Sequence, residues 1–166
     1  MKRFLLVVFA IVSVTAGFAQ EAKYKALYTY NFTKQIEWPA ADKSGNFVIC
    51  VIGNSEVYNQ LRDLTNLKKV GTQAIEVLKL KSIEELPKCH ILFLASSESS
   101  AAKMEEVTSK LQGTSTLILT ERSGSLEKGS CINFKVIDGK IKFEVNKEAT
   151  SERKLQISTQ LLNMAL

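Results

Sequence analysis

Apolar positions along the chain fall into two rhythms, and each predicts a different element. From Ala22 to Trp38 they recur at Tyr24, Leu27, Tyr28, Phe32 and Ile36, one face of a helix that Pro39 ends. Phe47 to Ile52, His90 to Leu94 and Thr116 to Thr120 are nearly continuous apolar runs, the pattern of strands buried on both faces of a parallel sheet. A shorter strand is expected over Ala74–Leu80, and helices over Glu56–Leu64 and Ala101–Leu111. The first of these would be capped by Asn54 or Ser55, and Gly113 would close the second. Ser82–Leu86 predicts a capped helical turn stopped by Pro87, and Ser96–Ser100 a polar loop.

Past residue 130 the rhythm changes. Ile132–Val136 and Ile141–Val145 alternate apolar and polar residues around Asp138-Gly139, the pair favoured in a two-residue type I′ turn. This predicts an antiparallel hairpin with one wet face at the edge of the sheet. Asn146 can cap a closing helical region and Ser158 can restart it, placing Leu161, Leu162 and Met164 on the core. The expectation is a three-layer α/β fold: a mostly parallel, Rossmann-like sheet flanked by helices, with the C-terminal hairpin at its edge. It would form one domain over residues 20–166.

The first nineteen residues follow another logic. Lys2 and Arg3 precede an apolar run from Phe4 to Val14, and small residues end at Ala19. That is the layout of a secretory signal peptide cleaved after about Ala19, and the run is too short to span a bilayer as a helix. Composition is ordinary for a globular chain, 45% hydrophobic and 23% charged. Loss of Lys2 and Arg3 would lower the formal charge from +5 to +3, a surplus that gives no reason to expect nucleic acid as a partner.

Export makes the cysteines informative, because disulfides persist outside the cytoplasm. Cys50 lies in the first predicted strand and Cys89 immediately precedes the His90–Leu94 run, the third predicted strand in chain order, and first and third strands are commonly neighbours in a doubly wound sheet. The two cysteines are either a disulfide closing a loop of about 40 residues, worth roughly 4 kcal/mol on the chain-entropy model, or two small core thiols. Cys131 is left as a buried free thiol or an intermolecular link.

Candidate chemistry is sparse. His90 is the only histidine, without the second imidazole or serine partner that a metal centre or triad needs, and reads as a structural residue at a strand end. The acidic pairs Glu84-Glu85 and Glu105-Glu106 diverge around their helices as solvated faces, and no CxxC motif is present. No catalytic residue, metal or cofactor is expected; a hydrolase using Ser and Asp without His is the remotest alternative. Gly53, Asn54 and Ser55 follow the first strand, and Ser96 and Ser97 follow the third, so a small ligand or anion could sit at the carboxyl ends of the strands. The turn lacks the GxGxxG and P-loop signatures of nucleotide sites. Asn31-Phe32-Thr33 matches a glycosylation sequon but falls inside a helical stripe. Tyr24, Tyr28, Tyr30 and Trp38 form an aromatic set that suits either core packing or a partner surface.

Five stretches in order resemble the YfiR-like family of exported bacterial regulators: Lys25–Pro39 (KALYTYNFTKQIEWP), Ile49–Gly53 (ICVIG), Cys89–Phe93 (CHILF), Gly129–Phe134 with Gly139–Asn146 (GSCINF, GKIKFEVN), and Leu155–Leu162 (LQISTQLL). The resemblance implies a dimeric periplasmic α/β protein without enzymatic activity. It would restrain a membrane-bound signalling protein, a diguanylate cyclase in the better-understood relatives, by binding that protein's periplasmic sensor domain. It also implies that Cys50 and Cys89 pair. Some relatives carry a second disulfide near the hairpin; here the loop Glu121–Ser130 offers Cys131 no partner. The competing expectation is a periplasmic small-ligand module with its pocket at the strand ends.

Overall fold

The computed structural model describes residues 20–53 and 56–166. Helix α1 covers residues 20–35. It is followed by β1 (Ile36–Glu37), β2 (Phe47–Ile52), α2 (Val57–Thr65), β3 (Lys69–Val70), β4 (Gln73–Leu80) and β5 (Ile91–Leu94). Then come α3 (Ala101–Lys110), β6 (Leu117–Thr120), β7 (Ile132–Ile137), β8 (Lys140–Val145), α4 (Lys147–Glu152), β9 (Gln156–Ile157) and α5 (Thr159–Met164).

Seven strands form one sheet in the order β3-β4-β2-β5-β6-β7-β8. Its four central pairings, β4 with β2, β2 with β5, β5 with β6 and β6 with β7, are parallel. Both edges are antiparallel. This is the expected three-layer α/β architecture. The central strands are buried along nearly their whole length, as their unbroken apolar runs require. At the hairpin, Asp138 and Gly139 both have positive φ, 51° and 70°, which a type I′ turn demands. Asn146 caps α4 by accepting from the Ala149 amide at 3.0 Å, and Ser158 caps α5 by accepting from the Leu161 amide at 3.1 Å.

Helix α1 lies against the β7–β8 end of the sheet. Its Phe32 is fully buried and meets Phe134 and Phe143 with ring centroids 6.0 and 5.2 Å apart, while Tyr28 meets Phe143 at 5.4 Å. The sequon lies on the same helix, with Phe32 and Thr33 both buried.

Three features depart from the sequence reading. The first helix stops at residue 35, because the position before Pro39 is driven to extended backbone and Ile36–Glu37 finds a partner. That partner is β9, with Ile36 opposite Ile157 and Glu37 opposite Gln156. The far edge gains β3, a two-residue strand on β4. Finally, Ser82 makes no capping bond to the short 3-10 turn Ile83–Glu85. The predicted caps Asn54 and Ser55, and the leader, lie outside the described residues.

Candidate functional site

Two ends of the sheet can hold chemistry. At the carboxyl ends, β2 runs into Gly53 and β5 into Ser96 and Ser97, as expected for a doubly wound sheet. Gly53, Lys79, Lys81, Ser97 and Glu98 enclose a crevice of about 510 Å3. Gly53 has φ +104°, and a Cβ there would lie 2.6 Å from the Ala95 Cβ and 2.9 Å from the Glu98 Cγ, so only glycine fits.

The polar groups at this end are already engaged by the chain's own carboxylates. The Ser96 amide donates to Glu121 Oε1 at 3.0 Å, and the other Glu121 oxygen accepts Lys25 Nζ at 2.8 Å. Ser97 Oγ donates to Glu98 Oε1 at 3.2 Å, and Lys103 Nζ pairs with Glu98 at 2.6 Å. Gly53 and Ser97 are thus brought together, while Ser96 is committed to Glu121; Asn54 and Ser55 lie outside the described residues. Lys25 and Glu121 are both largely buried, so this pair ties α1 to the β5–β6 end of the sheet.

At the amino ends, His90 has the structural role its position suggested. The Val48 amide donates to His90 Nδ1 at 3.0 Å, which places the ring proton on Nε2, and Nε2 donates to the Asp42 carbonyl at 2.8 Å. The ring stacks on Phe47 at 4.3 Å. It thereby extends the β2–β5 ladder by one side-chain rung. Replacing His90 with Ala removes the stacked ring and both hydrogen bonds; a loss of about 2 kcal/mol in urea unfolding is expected.

Asp42 also binds Lys88 Nζ at 2.7 Å, and that ammonium holds its carboxyl below the usual carboxylate range against a smaller opposing effect of burial. A lowered folded-state pKa stabilises the fold above the unfolded carboxylate range, and that stabilisation fades as pH falls through the folded value. Lys88 is mostly exposed, so the expected effect is small. Asp42→Asn should cost about 0.5 kcal/mol near pH 7, and the difference from wild type should vanish in acid, read as paired urea melts.

Beside this node lies a larger cavity, about 700 Å3, between the β1–β9 ribbon and the β3–β4 hairpin. Sequence reasoning placed its pocket at the other end of the strands and missed this one, whose walls include Lys34, Ile36, Trp38, Phe47, Val70 and Gln73. The available signals were Trp38 directly before a proline and an amide residue opening a strand at Gln73. Gln73 is buried, and its side-chain NH2 donates to the Asp42 and Ser44 carbonyls at 3.1 and 3.2 Å.

The aromatic set does not form one surface. Tyr24 is 45% exposed, next to Leu27 at 41%. Tyr28 packs inward on Phe143, and Tyr30 is half-buried with Lys34 Nζ and Lys68 Nζ each 4.5 Å from its ring centroid. Trp38 is only 4% exposed, packed edge-on against Phe47 at 4.9 Å, which removes it from any docking face in this conformation.

The cysteines are buried thiols in this structure. Cys50 lies opposite Leu92 rather than Cys89, because Cys89 precedes β5. The chain nevertheless brings the two thiols within hydrogen-bonding reach, and that bond, reinforced by burial, raises the Cys89 pKa well above the usual thiol value. Burial likewise raises Cys131, against smaller opposing effects that include a bond to the Ile118 backbone and the Arg153 guanidinium. Among the described residues no group of three or more His, Cys, Asp or Glu side chains could hold a metal ion, and no helix is long and apolar enough to cross a membrane.

A search of curated proteins finds no significant match. The family comparison finds more: the model of the YfiR/HmsC-like family matches residues 22–166, from the first turn of α1 past the end of α5, and the chain belongs to that family.

Proposed function

We propose that this protein is an exported, non-enzymatic regulator that acts in the periplasm by contact, restraining a membrane signalling protein through its periplasmic sensor domain. The observation that carries this reading is family membership over residues 22–166. The side-chain chemistry agrees with it. His90, Glu121 and the buried Thr120–Ser130–Asn133 cluster are engaged in internal hydrogen bonds rather than presented to a substrate. A regulator of this kind works by binding one state of its partner more tightly than another. In the relatives the sequence resembles, the partner is a diguanylate cyclase, so the regulated output is cyclic di-GMP.

The contact surface on this reading includes the exposed Tyr24 and Leu27 of α1. Export, cleavage near Ala19 and homodimerisation belong to the same proposal, as does a Cys50–Cys89 disulfide in the oxidising compartment, supported by the closeness of the two thiols. The test is affinity capture from detergent-solubilised inner membranes. The tagged mature protein should recover a membrane protein with a periplasmic domain, and a Tyr24→Ala, Leu27→Ala double variant with wild-type melting should recover several-fold less. Recovery of no membrane protein overturns the reading.

A further inference from the structure

We propose that this protein rests on an anionic lipid surface through the outward face of α1 and the loop that follows α2, with Leu67 entering the headgroup layer and Lys23, Lys34, Lys68 and Lys69 meeting lipid phosphates. This does not depend on the identity of any protein partner. Leu67 stands between Asn66 and Lys68 and is 95% exposed. Its φ of 61° is left-handed, and it directly follows Asn66, the residue that closes α2, where glycine is usual. A leucine at that place strains the backbone and gains no burial in return, so packing within the chain does not account for it.

Lysines surround it. Lys68 and Lys69 follow directly, and Lys34 Nζ and Lys68 Nζ converge on the Tyr30 ring, each 4.5 Å from its centroid. On α1 the spacing of Lys23, Leu27, Tyr30 and Lys34 puts them on one face of the helix; Tyr30 is half-buried and the others are exposed. Lys23, Lys34, Lys68 and Lys69 have no carboxylate partner among the ion pairs of the described residues. The carboxylates nearest to them in sequence, Glu21, Glu37 and Asp63, are taken by Lys25, Lys43 and Arg62.

Charge and shape select a bilayer over a protein. Unmatched ammonium groups gathered on one face call for an anionic surface. A protein docking site centres on a packed apolar cluster, whereas Leu67 projects alone between an amide and an ammonium side chain. A fluid headgroup layer accepts a lone leucine and an interfacial tyrosine without shape matching. Leu27 lies on the same stripe of α1, so the lipid face adjoins the docking surface proposed above, which suits a partner anchored in the same membrane.

The test is co-sedimentation of the mature protein with vesicles of phosphatidylglycerol and phosphatidylcholine in equal parts, and with vesicles of phosphatidylcholine alone. Binding to the mixed vesicles should be about tenfold stronger and should fall several-fold as salt is raised. Leu67→Gly suits the left-handed backbone, so it should melt no lower than wild type yet bind the mixed vesicles several-fold more weakly. A Lys34→Glu, Lys69→Glu double variant should lose binding. Lys140→Glu with Lys142→Glu makes the same change in net charge at exposed positions of β8 and should leave binding within about twofold of wild type. The proposal is overturned if the folded protein does not sediment with the mixed vesicles, which would leave the face to an acidic protein surface. It is equally overturned if Leu67→Gly binds as wild type does, or if the two lysine double variants lose binding alike.

Discussion

Phe32→Ala is expected to remove about 3–5 kcal/mol of stability, the usual cost of deleting a buried phenylalanine. Phe32 is fully buried at the meeting point of three elements: it faces Phe134 on β7, Phe143 on β8 and Tyr28 one turn earlier on its own helix. None of these rings can collapse into the space without breaking its other contacts, since Phe134 also packs on Phe93 of β5. The cavity should therefore persist and carry its full penalty. For a domain of this size the melting temperature should drop on the order of 10 °C. Tyr24→Ala, on the same helix but exposed, should change stability by no more than about 0.5 kcal/mol. Equal effects at the two positions would mean that α1 is not seated on the hairpin as described.

The second large effect concerns Cys50 and Cys89. In the proposed oxidised form the bridge closes a loop of about 40 residues and contributes roughly 4 kcal/mol, mainly by restricting the unfolded chain. Protein extracted from the periplasm without reductant should show a mass two hydrogens below the all-thiol value, with residues 50 and 89 cross-linked. Reduction, or a Cys50→Ala, Cys89→Ala double variant, should lower the denaturant midpoint accordingly. In the reduced protein both thiols are buried and the Cys89 pKa is raised, so native-state alkylation should be slow until the fold opens. Three alkylatable cysteines in freshly extracted, unfolded protein would exclude the bridge.

What the sequence disclosed follows from where each element obtains its stability. The strands β2, β5 and β6 were legible because burial on both faces requires continuous apolar side chains, and each is buried along nearly all its residues. The β7–β8 hairpin was legible because Asp138-Gly139 is local turn chemistry, needing no knowledge of the rest of the chain. The two-residue strands β1, β3 and β9 carry no period of their own. β1 and β9 exist because residues about 120 positions apart, such as Ile36 and Ile157, are brought together by packing, whereas β3 is a local pairing of Lys69 and Val70 with Ala74 and Gln73 across a tight turn. Trp38 was misplaced for the same reason. Helical periodicity continues through it, but Pro39 redirects the chain and turns the indole inward onto Phe47.

The site was legible only in part. Gly53 could be marked from its place after a strand, and the structure gives it the positive φ and close contacts that exclude a side chain. The rule that ligands gather at strand carboxyl ends drew attention to Ser96, whose amide serves Glu121 instead. The cavity at the opposite end depends on the β1–β9 ribbon, which no local pattern announces.

The most direct measurement of the central claim is cellular cyclic di-GMP in bacteria that lack this protein, with complementation by the exported form and by a form without residues 1–19. Restraint of a membrane cyclase from the periplasm predicts a several-fold rise on deletion, reversed by the exported protein and not by the leaderless one. An unchanged level on deletion, or full rescue by the leaderless chain, would contradict it.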